Sequence, residues 1–212
     1  MPILVFDLDG TLSNPFDGIW RSVNHALDAH GLPAVPRDSF QRFIGPPIDQ
    51  SFRTLVPGAA PAVIESLVAA FRDRYGRLGY AENVLYPDIP AMLDRLASAG
   101  FRCGICTSKR RDFAVQVLEL FELQHHFAFV AGGDVGVRKA AQLALLRAGG
   151  RIDDQAIMIG DRASDLEAAA ANGLRAVGVT WGFGPLAELE DAGPWAITRS
   201  PPALADLLVP AA

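Results

Sequence analysis

The chain has 212 residues, half of them hydrophobic and 20% charged, enough to bury one substantial core and a smaller second one. Its formal charge of −5 excludes the broad basic surface of a nucleic-acid binder, so any phosphate-bearing ligand must be held by local cations or a metal. Two cysteines make no disulfide framework, and the apolar run Ile3–Phe6 ends at Asp7, too short for a signal-peptide core. No stretch approaches the ~20 apolar residues of a membrane span. The expectation is a soluble cytoplasmic protein, monomeric or homodimeric, with neither membrane nor nucleic acid as partner.

Ile3–Phe6 reads as a first buried strand, and the long interval that follows reads as helices. Phe16–His30 carries Ile19, Val23 and Leu27 on one stripe and stops at Gly31. Arg37–Phe43 and Ile48–Leu55 flank the turn Gly45-Pro46-Pro47, and Ala62–Leu78 places Val63, Leu67, Ala70 and Phe71 at helical spacing. Pro90–Ala99 then leads into a second strand, Phe101–Cys106. Three more apolar runs follow, Phe127–Val130, Ala156–Ile159 and Ala176–Val179. Helices over Phe113–Leu123, Ala140–Ala148 and Asp165–Asn172 separate these later strands, with Gly149 and Gly173 at the expected C-caps. Continuous apolar runs alternating with helices predict an α/β fold, a doubly wound, Rossmann-like parallel sheet covered on both faces. Residues 1–13 and 85–212 form its core, and 14–84 are an inserted all-helical segment.

The chemistry lies just beyond the strands. The first ends in Asp7-Leu8-Asp9-Gly10-Thr11, the second in Thr107-Ser108, and the fourth in Gly160-Asp161, with Asp165 about one helical turn further on. Open parallel sheets bind ligands outside the carboxyl ends of their strands, so these acids, the hydroxyl pair and Lys139 converge on one rim. Any one acid is equally well a turn residue or a helix N-cap. Three together repel one another, and a divalent cation is the usual relief. Oxygen ligands without histidine or thiolate favour Mg²⁺ over zinc.

Asp7-Leu8-Asp9-Gly10-Thr11-Leu12 resembles the first motif of haloacid dehalogenase superfamily phosphatases. Thr107 resembles the second motif, Lys139 the third, and Gly160-Asp161-Arg162-Ala163-Ser164-Asp165 the acidic fourth, in matching order and spacing. Within the superfamily the chain is most similar to the phosphoglycolate phosphatase group, which carries a helical cap after the first strand. Ile44-Gly45-Pro46-Pro47 and Gly178-Val179-Thr180-Trp181-Gly182-Phe183-Gly184 also resemble that group and related nucleotidases. The resemblance implies Mg²⁺-dependent hydrolysis of a small phosphorylated metabolite through an aspartyl-phosphate. It makes Asp7 the nucleophile and Asp9 the general acid and base. Asp7, the Asp9 carbonyl and Asp161 would hold the metal, with Asp165 ligating it or orienting its waters. Lys139 would neutralise charge, and Thr107, the Ser108 amide and Thr11 would bind phosphate. Relatives commonly place proline after the third-motif lysine, but Ala140 stands here and Arg138 precedes, so Arg138 is the alternative cation.

Substrate choice falls to the insert. If the substrate carries a carboxylate, Arg42, one turn before Gly45-Pro46-Pro47, is the candidate to grip it with two parallel hydrogen bonds. The other insert arginines, Arg37, Arg53, Arg72, Arg74 and Arg77, read mainly as a solvated face. Cys103 and Cys106 imitate a redox pair, but residues three apart on a strand face opposite ways. His125-His126 reads as surface, and Gly132-Gly133-Asp134-Val135-Gly136 lacks the dinucleotide-loop pattern. Nucleoside monophosphates and phosphosugar isomerisation remain alternatives to phosphoglycolate. A phospho-accepting receiver domain is the rival from another class. Receivers hold their acceptor on the third strand, where this chain has Ala131-Gly132-Gly133.

Overall fold

The structure is a computed structural model and describes residues 2–209. In chain order the elements are β1 (Ile3–Phe6), β2 (Ser13–Asn14), α1 (Phe16–Asp28), α2 (Ile48–Leu55), α3 (Pro61–Arg77), β3 (Val84–Leu85), α4 (Ile89–Ser98), β4 (Arg102–Arg110) and α5 (Arg111–Leu120). There follow β5 (Phe127–Gly133), α6 (Lys139–Ala148), β6 (Ile157–Gly160), α7 (Ala163–Ala171), β7 (Arg175–Val179), α8 (Leu186–Asp191), β8 (Ala196–Thr198) and α9 (Pro201–Leu208).

Six strands make one parallel sheet in the order β5-β4-β1-β6-β7-β8. Counting only those strands along the chain, the order is 3-2-1-4-5-6, the doubly wound order in which crossovers reverse direction beside β1. It is not the 2-1-3-4-5 order that receivers share with flavodoxin-like folds. Side chains alternate across the sheet as its pleat demands: Leu4 and Phe6 enter one layer of core, Ile3 and Val5 the other. Cys103 and Cys106 divide the same way and are free, and burial pushes both thiols up to about 12. No helix among the described residues is long and apolar enough to cross a membrane.

β2 and β3 pair antiparallel where the chain leaves and re-enters the sheet layer. The segment between them builds its own apolar cluster from Ile19, Val23 and Leu27 of α1, Phe52 of α2 and Leu67, Phe71 and Tyr75 of α3. Phe113 of α5 joins that cluster, its ring 5.1 Å from Tyr75.

Several local expectations need correction. The stretch expected as a helix over Arg37–Phe43 is two 3₁₀ turns, Arg37–Ser39 and Gln41–Phe43. Phe40 and Phe43 are both buried, and residues three apart eclipse at three residues per turn, so the tighter helix buries both rings. On α3 the buried stripe is Ile64, Leu67, Val68, Phe71 and Tyr75, one residue out of phase with Val63, which is exposed. β4 runs on to Arg110 through a register shift after Thr107, β5 on to Gly133, and β8 is too short to stand out in the sequence. Gly149 is the α6 C-cap, but the left-handed residue there is Gly150. His125 is exposed, while the His126 side chain is largely covered.

α1 meets the turn after α3 backbone to backbone. A Cβ on Gly18 would lie 2.0 Å from the Gly79 carbonyl oxygen, and neither partner is a side chain that can swing away. Alanine normally favours a helix over glycine by ~0.5–1 kcal/mol, but overpacking costs ~1–3 kcal/mol. Gly18→Ala is therefore expected to lower the thermal unfolding midpoint by roughly 2–10 °C for a chain of this size. Calorimetry that found a raised midpoint would contradict this packing.

Candidate active site

Asp7 follows the last residue of β1, its backbone N–H donating to the Ile159 carbonyl at 2.9 Å and so continuing the sheet. Asp161 follows β6, and Asp165 sits in the first turn of α7. One carboxylate oxygen from each of these three buried acids lies within 4.8 Å of the others. Lys139, the first residue of α6, is buried against them, with Nζ 3.0 Å from Asp7 Oδ2 and a second ion pair to Asp165. Arg138 is exposed, so Lys139 is the cation that the fold delivers to this cluster.

Backbone and hydroxyl donors fix two of these acids. Asp161 accepts from the Phe183 N–H at 2.8 Å and from the Thr11 hydroxyl at 3.3 Å. Asp165 accepts from the Arg162 N–H at 3.1 Å, as half of a capping arrangement at the start of α7. Gly10, at φ 87°, passes so close that a Cβ there would fall 2.2 Å from Asp161 Oδ2. The Asp-Gly-Thr turn thus needs glycine twice over, for its left-handed backbone and for room beside the acid.

Charge accounts for the state of these groups. Burial and then the neighbouring carboxylates raise Asp161 well above the usual carboxylate range. Burial likewise raises Asp165, although Lys139 opposes it. Burial disfavours the Lys139 ammonium, but Asp165 and Asp7 together outweigh that and hold it charged. Three carboxylates against one ammonium leave a deficit of two charges, which one divalent cation would cancel. Asp7 Oδ1 is buried without a hydrogen-bond partner. That orphan oxygen, the all-oxygen donor set and the charge deficit fit a hard divalent cation. Asp7, Asp161 and Asp165 are the side chains that would hold it.

Asp9 lies beside this cluster and not within it. Its Oδ2 is 2.7 Å from Lys109 Nζ, its Oδ1 has no partner, and burial raises its carboxyl against the pull of Lys109. Lys109 also donates to the Tyr75 hydroxyl at 2.7 Å, linking the sheet rim to α3. Burial opposes its charge, yet Asp9 and Tyr75 hold it above the ordinary lysine value. The sequence reading missed both Lys109 and Tyr75. The only signal for Lys109 is its place two residues beyond Thr107, and Tyr75 falls one helical turn after Phe71 with nothing to mark it.

Asp7, Asp9, Thr107, Ser108 and Lys109 open onto one cleft between the rim and the insert. Phe43, Pro46, Asp49, Phe71 and Arg72 are on its walls. Two expected binders are elsewhere. Thr11 is buried with its hydroxyl committed to Asp161. Arg42 is exposed over the Phe43 ring and borders a separate cleft with Phe183 and Arg162. The 3₁₀ turn directs Phe43 into the main cleft and leaves Arg42 outside it.

Sequence and fold comparisons agree with this geometry. The family model described as haloacid dehalogenase-like hydrolase matches residues 4–179. The chain is 33% identical over 189 residues to the tyrosine-protein kinase PtkA of Mycobacterium tuberculosis, covering 86% of this chain but 63% of that one. The shared region is thus under two thirds of the mycobacterial proteins. The chain is also 34% identical over 192 residues to a 5′-nucleotidase of Pseudomonas aeruginosa, covering 89% and 86% of the two chains. A phosphoglycolate phosphatase of Mesorhizobium japonicum is 34% identical over 194 residues, covering 86% and 84%. Among solved structures, a predicted phosphatase from Clostridium acetobutylicum superposes with a TM-score of 0.92 at 32% identity, covering 98% of each chain. The chain belongs to the haloacid dehalogenase-like hydrolase family. Within it, the chain is phosphoglycolate phosphatase-like.

The raised Asp161 carboxyl predicts how the metal-free protein responds to pH. A group held above its unfolded-state value favours folding most at low pH, and that contribution is lost as pH rises through the folded value. In EDTA, the unfolding midpoint of Asp161→Asn should exceed that of the parent by a margin that widens from about pH 5 to about pH 8. Millimolar Mg²⁺ should raise the parent midpoint and leave the variant nearly unmoved. A margin that shrinks with pH would contradict the charge deficit.

Proposed function

We propose that this chain is a Mg²⁺-dependent phosphatase that hydrolyses a small phosphate monoester through an aspartyl-phosphate on Asp7. The observation that carries the reading is the Asp7 carboxylate, which lines the cleft half unpartnered and is held by Lys139 beside two further acids. Relatives named phosphoglycolate phosphatase and 5′-nucleotidase, each aligned over most of its length, support phosphate-ester chemistry.

The Asp7 carboxylate attacks phosphorus, and the bond from phosphorus to the leaving oxygen breaks. Asp9, whose carboxyl burial raises, holds the departing proton at its partnerless Oδ1 and delivers it to that oxygen. It then takes a proton from the water that attacks the aspartyl-phosphate, releasing inorganic phosphate and restoring Asp7. Lys139 holds Asp7 in place and offsets its charge, and Thr107 and Ser108 offer hydrogen bonds to the phosphoryl oxygens. A bound Mg²⁺ would neutralise the phosphoryl charge that these acids otherwise repel. The helical insert serves as the cap that roofs the cleft and shields the chemistry from bulk water.

Asp7→Asn keeps the side chain's shape but removes the nucleophile. Turnover of p-nitrophenyl phosphate in Mg²⁺ should fall by at least ~10⁴-fold, with an unchanged circular dichroism spectrum. EDTA should abolish the parent activity and Mg²⁺ restore it. Near-parental turnover by the variant, with reversion to aspartate excluded by mass spectrometry, would refute the mechanism.

A further inference from the structure

The catalytic rim explains one side of the cleft and leaves the other unexplained. Opposite the acids, the wall is aromatic and apolar, from Ile19, Phe43, Phe71, Tyr75 and Phe113. Set into it is Asp49, in the first turn of α2, 6% exposed, with Oδ1 lacking any hydrogen-bond partner. An acid at a helix start can merely stabilise the helix dipole. In that role it normally lies in solvent or accepts backbone N–H groups, yet Asp49 is buried, and no side-chain capping bond forms at the α2 N-terminus. Its one cationic neighbour, Arg53, approaches Oδ2 no closer than 4.0 Å and is itself mostly exposed. An unsatisfied buried acceptor costs ~1–3 kcal/mol, more when charged, so such an atom on a cleft wall is open to a donor brought by the ligand.

The cations of the cleft bear on the same question. Lys109 is committed to Asp9 and Tyr75, Arg72 to Asp134 at 2.5 Å, and Arg110 to Asp112. Among the described residues, then, the cap side offers a substrate carboxylate no uncommitted cation, and it presents the Asp49 charge. A two-carbon glycolate body would also leave most of the aromatic wall uncontacted.

We infer that Asp49 is a specificity-determining residue that selects phosphate esters whose organic part carries an aromatic ring and an N–H or O–H donor and lacks a carboxylate. Nucleoside 5′-monophosphates have this chemistry and 2-phosphoglycolate does not. The inference rests on the phosphatase reading and narrows its substrate class. The ring lies along the apolar wall, and Asp49 Oδ1 accepts its donor.

The test measures kcat/KM in Mg²⁺ for adenosine 5′-monophosphate, 2-phosphoglycolate and p-nitrophenyl phosphate, which is aromatic but has no donor. The parent should prefer adenosine 5′-monophosphate over 2-phosphoglycolate by about 10-fold or more. In Asp49→Ala, the ratio of adenosine 5′-monophosphate to p-nitrophenyl phosphate should fall about 10-fold. Asp49→Asn, which keeps shape and an acceptor oxygen, decides the matter if the alanine variant fails to fold. Its ratio of 2-phosphoglycolate to adenosine 5′-monophosphate should rise above the parent's, because the repelling charge is gone. A parent that turns over 2-phosphoglycolate as well as the nucleotide, or ratios unmoved in the folded variants, would overturn the assignment of Asp49. No turnover of any ester, p-nitrophenyl phosphate included, would instead overturn the phosphatase reading beneath it.

Discussion

The Lys139 ammonium, buried between Asp7 and Asp165, is the contact on which the rest of the site depends. Taking an ion out of water costs several kcal/mol even after relaxation, and breaking a buried pair by removing one partner costs ~3–5 kcal/mol. The charge is matched because two acids from strand ends and a third from the first turn of α7 are buried around it. One lysine cannot neutralise all three, and the remaining deficit suits a divalent cation.

Topology brings these groups together. β1 lies between β4 and β6, so its carboxyl end carries Asp7 beside the ends that carry Thr107 and Asp161. The loop after β7 closes the other side: Phe183 donates to Asp161, and the Trp181 ring N–H donates to the Thr11 carbonyl at 2.9 Å. Several contacts then tie this rim to the insert, two of them beside the acids themselves. Lys109 bridges Asp9 and Tyr75, and the Arg162 guanidinium donates to the Ile44 carbonyl at 2.7 Å.

The acidic rim was legible in the sequence because its residues follow strand ends at fixed offsets. Asp7, Asp9, Asp161 and Asp165 were placed by short apolar runs and a helical turn, and the choice of Lys139 over Arg138 needed only the helix start that the structure supplies. The insert was less legible because its contacts depend on phase. A slip of one residue on α3 put Val63 in the stripe and hid Ile64, and a 3₁₀ turn exchanged Arg42 for Phe43 at the cleft. Lys109 and Asp49 carried no periodic signal. Their significance comes from burial and from partners distant in sequence, which one chain read linearly does not display.

The claim that Asp7 takes up the phosphoryl group is open to direct chemical capture. Turnover of a phosphate monoester in Mg²⁺ would be quenched in acid, the protein reduced with borohydride, and the peptide carrying residue 7 examined by mass spectrometry. An acyl phosphate on Asp7 should be reduced to homoserine at that position, and only when substrate and Mg²⁺ are both present. Sustained turnover with residue 7 unmodified, or reduction at Asp9 in its place, would contradict the assignment of the nucleophile.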